Sequence, residues 1–68
     1  MQYVVIIEKT DKNYGAYVPD LPGCVAVAET KSEVTKLIRE AIDFHLEGLR
    51  EEGSPIPVPT ATSELVEV

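Results

Sequence analysis

Cysteine and histidine are nearly absent from this 68-residue sequence, which has one of each, Cys24 and His45. A single cysteine excludes a disulfide within the chain, and two soft ligands are too few for a structural zinc site. We therefore predict no bound metal and no cofactor. A domain of this size buries only about 60% of its unfolded surface. Because its core is marginal, we expect stabilisation by self-association or by a partner.

Basic residues and long apolar runs are also scarce. Asp and Glu number 12 against 6 Lys and Arg, which gives a formal net charge of −6. Nucleic-acid-binding proteins carry basic patches, so we expect no direct nucleic-acid binding, whereas a basic protein partner is compatible with this charge. No apolar run is long enough to span a bilayer, and the N-terminus does not resemble a signal peptide. We expect a cytoplasmic protein without membrane contact.

The residues that are present predict one α+β domain covering residues 1–68. β-Branched and alternating residues predict three strands, at 3–7, 14–18 and 24–28. A short polar turn joins the first two strands into a hairpin. The loop before the third strand contains Pro19, Pro22 and Gly23, which cannot continue a ladder. We therefore expect a three-stranded antiparallel sheet with a rigid loop after its second strand.

One long helix follows the third strand. Thr30 and Glu33 have the spacing of a capping box, and Gly53 followed by Pro55 ends the helix, so we predict it over 31–52. The predicted apolar face consists of Val34, Leu37, Ile38, Ala41, Ile42, Phe44, His45 and Leu49. Three alternating prolines predict an extended Pro-rich segment at 54–63. Residues 65–68 predict a short final strand, which completes the order β-β-β-α-β.

One helix can cover only one face of such a sheet. Successive residues of a strand point to opposite faces, so Val4 and Ile6 would point away from the helix. An exposed apolar face marks an interaction surface, and a symmetric homodimer or higher homo-oligomer through this face or an edge strand is the simplest prediction. The alternative is that the proline-rich segment folds back over it.

No arrangement of residues predicts catalysis. The sequence has no nucleophile elbow and no phosphate-binding glycine loop. His45 lies in the apolar stripe of the helix and is interpreted as a core residue. Glu8, Asp11 and Asp20 are the carboxylates that a metal-dependent nuclease would need to bring together. We expect no enzymatic activity and keep this nuclease as an alternative.

The segment Tyr14-Gly15-Ala16-Tyr17-Val18-Pro19-Asp20-Leu21-Pro22-Gly23-Cys24 resembles the signature of the HicB antitoxin family. The resemblance continues through residues 29–30, 40–42 and 53–59. It implies a partial RNase H-like fold of β-β-β-α-β order. Family members neutralise HicA, a small basic toxin that cleaves mRNA. Many also carry a C-terminal DNA-binding domain, and the residues after Pro59 are too few for one.

The resemblance implies the antitoxin of a type II toxin–antitoxin pair, which binds a basic HicA-like toxin through protein–protein contacts. The candidate partner-binding residues are Tyr14, Tyr17, Asp20, Leu21, Pro22 and Glu29. Two alternatives stay open. One is an orphan homo-oligomeric module that binds a small ligand, and the other is the residual metal-dependent nuclease.

Overall fold

The computed structural model describes all residues from Met1 to Val68. The chain forms three strands and one helix: β1 (Ile6–Lys9), β2 (Tyr14–Tyr17), β3 (Val25–Ala28) and α1 (Lys31–Glu52). The predicted α+β class, with three antiparallel strands and one long helix, is confirmed. The helix has the predicted bounds. It does not combine the length and the apolar character that crossing a membrane requires.

The three strands pair antiparallel in the order β1-β2-β3, so β1 and β3 are both edge strands. Ile6 of β1 lies opposite Tyr17 of β2, which in turn lies opposite Val25 of β3. β1 begins three residues later than predicted. The reason is that the segment before Ile6 lies beyond the end of β2, where the chain turns into the proline-containing loop and offers no ladder partner.

Both ends of α1 are capped as the sequence predicts. The hydroxyl oxygen of Thr30 accepts a hydrogen bond from the backbone N–H of Glu33 at 3.1 Å. Gly53 ends the helix in the left-handed region, with φ of 73°, and its N–H donates to the carbonyl oxygen of Arg50. Glycine reaches this conformation without the penalty that a Cβ atom imposes.

The core lies between the helix and the sheet, and α1 packs over β3 and β2 rather than over β1. Its buried residues are Ala16, Val18, Leu21, Cys24, Val34, Ile38 and Leu46. Three helix positions differ from the predicted apolar face. Phe44 is 79% exposed and Leu37 is 41% exposed, whereas Leu46 is buried. The chain turns back after Gly53, and Ile56 packs against the core that contains Leu46, so the buried face extends further round the helix than the sequence indicated.

The prediction of a final strand at 65–68 is wrong for this structure, because no strand follows α1. Leu65 and Val68 are fully exposed and have no ladder partner. The Pro-rich segment, in contrast, is tied to the body of the domain. Tyr3 donates a hydrogen bond from its hydroxyl to the carbonyl oxygen of Pro57, and Thr60 and Ala61 bind Asp20. The segment does not cover the sheet face opposite the helix, where Val25 and Val27 stay 62% exposed.

Candidate protein-interaction site

The sheet presents an apolar face on the side opposite the helix, which we call the outer face and define by Ile6, Tyr17, Val25 and Val27. Ile6, Tyr17 and Val25 form one cross-strand row. Alternation along the strands turns Ala16 and Ala26 toward the helix and these four side chains away from it. Val25 and Val27 are each 62% exposed and Tyr17 is 41% exposed. Contiguous apolar surface of this kind is typical of interaction sites.

The loop between β2 and β3 is rigid because its backbone closes on itself. Leu21 donates from its N–H to the carbonyl oxygen of Val18 at 3.0 Å, and Cys24 donates to that of Leu21 at 3.0 Å. Gly23 has a φ of 85°, the positive value that the turn requires. Leu21 is 0% exposed. The prediction of Leu21 as a contact residue is therefore corrected: it supports the loop from inside, while Pro22 stays exposed on its surface.

Asp20 is bound by the Pro-rich segment of its own chain. One carboxylate oxygen accepts a hydrogen bond from the hydroxyl of Thr60 at 2.7 Å, and the other accepts from the N–H groups of Thr60 and Ala61, both at 3.0 Å. The side-chain bond from Thr60, followed by the two backbone bonds, holds the pKa of Asp20 below its ordinary value. Asp20 thus joins two segments that lie 40 residues apart in the sequence.

The six predicted partner-binding residues do not form one patch. Tyr14 lies opposite Ala28 at the hairpin-turn end of the sheet, beside Glu29. Tyr14 is half-buried and packs against the core on the helix side, while Glu29 is exposed. The exposed part of Tyr17 lies on the outer face near the other end of the sheet, where the loop containing Asp20, Leu21 and Pro22 begins. The structure therefore brings together Tyr17 and the loop, and it separates them from Tyr14 and Glu29.

The carboxylates proposed for the nuclease alternative lie apart. Glu8 pairs with Gly15 near the hairpin turn that contains Asp11, whereas Asp20 lies at the opposite end of the sheet. No three His, Cys, Asp or Glu side chains of the chain come close enough together to hold a metal ion. Cys24 is a free, buried thiol, and its burial raises its pKa, which disfavours the reactive thiolate.

Sequence reasoning missed the exposed flank of the helix. Phe44 is 79% exposed and Leu37 is 41% exposed. They lie seven residues apart and therefore on the same side of α1. The predicted apolar face is wider than the part of one helix that a three-stranded sheet can bury. This excess width is the sequence signal that could have indicated an exposed apolar flank.

A family model described as the HicB-like antitoxin of bacterial toxin–antitoxin systems matches residues 3–68. The chain belongs to the HicB-like antitoxin family. A chain of the solved HicA3 and HicB3 toxin–antitoxin complex is 35% identical, with a TM-score of 0.73 over 88% of this chain and 70% of that chain. This confirms the HicB resemblance that the loop motif indicates.

Two relatives of this HicB-like chain differ in length. A UPF0150 protein of Thermoplasma acidophilum is 41% identical over 58 residues, which cover 84% of both chains. An uncharacterised 14.9 kDa protein of Haemophilus phage HP1 is 42% identical over 57 residues, which cover 84% of this chain but 43% of the phage protein. The HicB-like chain thus spans less than half the length of the phage relative.

Proposed function

We propose that this chain is the antitoxin of a type II pair, which binds a small basic HicA-like toxin and blocks mRNA cleavage without catalysing a reaction itself. The observation that carries the proposal is its similarity, at 35% identity and a TM-score of 0.73, to a chain of the HicA3 and HicB3 complex. Binding in the cytoplasm, where mRNA is translated, is part of the proposal.

Charge supports this function. The net charge of −6 attracts a basic toxin and speeds their encounter, because complementary potentials steer association. A toxin that cleaves RNA binds phosphates through basic side chains. An acidic protein on the same surface neutralises those side chains and excludes RNA.

We propose the outer face as the centre of the toxin-binding surface, with Pro22 at its margin. Tyr17 is the anchor, since tyrosine is enriched among the residues that dominate binding energy. Val25 and Val27 supply apolar area around it, as their 62% exposure leaves most of each side chain free for contact. Tyr14 and Glu29 lie at the other end of the sheet, where Glu29 adds negative charge to the margin.

The test compares two variants of the same exposure, Tyr17→Ala on the outer face and Leu37→Ala on the helix flank, both 41% exposed in the parent chain. The toxin is the HicA-like protein encoded in the same genome, and the readouts are its affinity for the chain and its cleavage of RNA. We expect the chain to stop cleavage and Tyr17→Ala to weaken binding about 30-fold, as for an anchor residue worth roughly 2 kcal/mol. We expect Leu37→Ala to bind as the parent does.

Two results would contradict parts of the proposal. Failure of the parent chain to bind the toxin would remove the antitoxin function. Weakening by Leu37→Ala, with Tyr17→Ala unchanged, would keep the function but move the binding surface to the helix flank that also carries Phe44.

A further inference from the structure

Two stretches of the chain have backbone groups without partners. None of the backbone–backbone hydrogen bonds involves residues 1–5, which precede β1, or residues 55–68, where Thr60 and Ala61 donate to the Asp20 side chain instead. Neither stretch belongs to a helix, a strand or a turn. Unpaired backbone of this kind is a template for adding a strand.

A groove with a volume of about 630 Å³ lies beside the first of these stretches. Its walls are residues 1–5 with Ile7 on one side and α1 on the other, where Ile38 and Ile42 are the apolar residues. No residue of β2 or β3 lines it, because α1 packs over those two strands and leaves the inner side of β1 open. The groove therefore lies where a further strand beside β1 would place its side chains.

The end of the chain reaches the rim of this groove and then leaves it. Ala61 and Thr62 line the groove, and Asp20 fixes the path there through its three hydrogen bonds to Thr60 and Ala61. Beyond this point Leu65 is 102% exposed, Val66 74% and Val68 118%. Leu65 and Val68 are about as exposed as in an isolated peptide, and Val66 keeps most of its surface free, so none of the three is buried in its own domain.

We propose that residues 63–68 of one copy, which we call the tail, add as a strand to residues 1–5 of a second copy and fill the groove of that copy. Six residues of strand extend about 20 Å, enough to pair with all five unpaired residues. Alternation places Val66 and Val68 on one side of the tail, facing Ile38 and Ile42. Leu65 then lies on the other side and extends the outer face.

Two-fold symmetry follows from this exchange, because each copy both donates a tail and receives one. The exchange also turns tail residue Glu64, which lies on the same side of the tail as Val66 and Val68, toward the groove, which Arg39 and Asp43 line. The attraction of Glu64 to Arg39 offsets its repulsion by Asp43, so apolar contact is what drives this association between two chains of net charge −6. The inference does not rest on the proposed function, since it requires only this chain.

Two measurements on the full chain test the proposal. The first is the mass in solution, by light scattering, of Val66→Asp and of the matched control Val58→Asp, whose parent residue in the Pro-rich segment is 73% exposed against 74% for Val66. We expect a dimer for the parent and for Val58→Asp. We expect Val66→Asp to raise the dimer dissociation constant about 100-fold or more, because the symmetric dimer loses the buried contact of Val66 in both of its grooves. Helix content by circular dichroism checks that each variant is folded.

The second measurement is isotope-filtered NMR on a mixture of labelled and unlabelled parent chains. Contacts between chains that join the methyl groups of Val66 and Val68 to those of Ile38 and Ile42 would support the proposal. The same contacts within one chain would overturn it, as the tail would then dock in its own groove. A monomer at millimolar concentration, or a dimer joined only through Val25 and Val27 on the outer faces, would also overturn it.

Discussion

At the scale of single residues, Asp20 shows how one side chain can hold a distant segment in place. Its hydrogen bonds from Thr60 and Ala61 stabilise the ionised carboxylate and lower its pKa in the folded chain. A group with a lowered folded pKa contributes stability above its ordinary pKa, here 3.8. That contribution is lost as the pH falls through the folded pKa. The stability that Asp20 supplies is therefore present at neutral pH and absent in strong acid.

We predict that Asp20→Asn lowers the melting temperature at pH 7 and that the difference from the parent disappears well below pH 3.8. Melting curves of both proteins across this pH range measure the effect. Asp11→Asn is the matched control, since Asp11 lies in the exposed hairpin turn and its side chain accepts no hydrogen bond. A constant difference between Asp20→Asn and the parent at every pH would contradict the prediction.

Asp20 and Leu21 also show what local sequence does and does not reveal about the candidate site. The prolines and Gly23 predict the loop because each restricts or permits backbone angles at its own position. The roles of the side chains depend on contacts made elsewhere. Asp20 meets a segment 40 residues away, and Leu21 is buried by the helix and sheet that close over it. Neither the contact of Asp20 nor the burial of Leu21 can be predicted from the neighbouring residues.

At the scale of elements, α1 is the part of the fold that local signals predict best, because its first and last turns are capped by its own flanking residues. Thr30 accepts a hydrogen bond from the N–H of Glu33, which would otherwise lack a partner within the helix. We predict that Thr30→Ala destabilises the domain by about 1 kcal/mol. For a domain of this size that lowers the melting temperature by about 4–8 °C.

Thr35→Ala serves as the control for this cap. Thr35 lies inside the helix, and its hydroxyl donates to the carbonyl oxygen of Lys31, which already has its place in the helical ladder. Alanine has the higher helix propensity, so we expect Thr35→Ala to leave the melting temperature unchanged or to raise it slightly. Equal destabilisation by both variants would show that the capping bond is not the cause.

The limits of the strands are less predictable than those of the helix, because a strand exists only where a neighbour pairs with it. Tyr3 and Val5 have strong β propensity, yet they lie outside β1 because β2 ends at Tyr17. The last residues of the chain form no strand for the same reason, because no strand lies beside them. The exposed position of Phe44 likewise follows from where α1 lies on the sheet, which periodicity alone does not determine.

At the scale of the whole molecule, the net charge of −6 acts in opposite directions on the two associations proposed above. Two identical copies repel each other, whereas a basic toxin is attracted. Salt screens both effects, since the screening length falls from about 10 Å at 0.1 M to about 3 Å at 1 M. Raising the salt concentration should therefore strengthen the homodimer and weaken the toxin complex.

We predict that sodium chloride, raised from 0.05 to 0.5 M, lowers the dissociation constant of the homodimer and slows association with the toxin about tenfold or more. Sedimentation measures the first and stopped-flow fluorescence the second. Sodium chloride is chosen because sulfate would also strengthen apolar burial and mask the charge effect. If the toxin complex gained affinity with salt as the homodimer does, apolar contact rather than charge would govern its formation, and the acidic surface would have no part in toxin recognition.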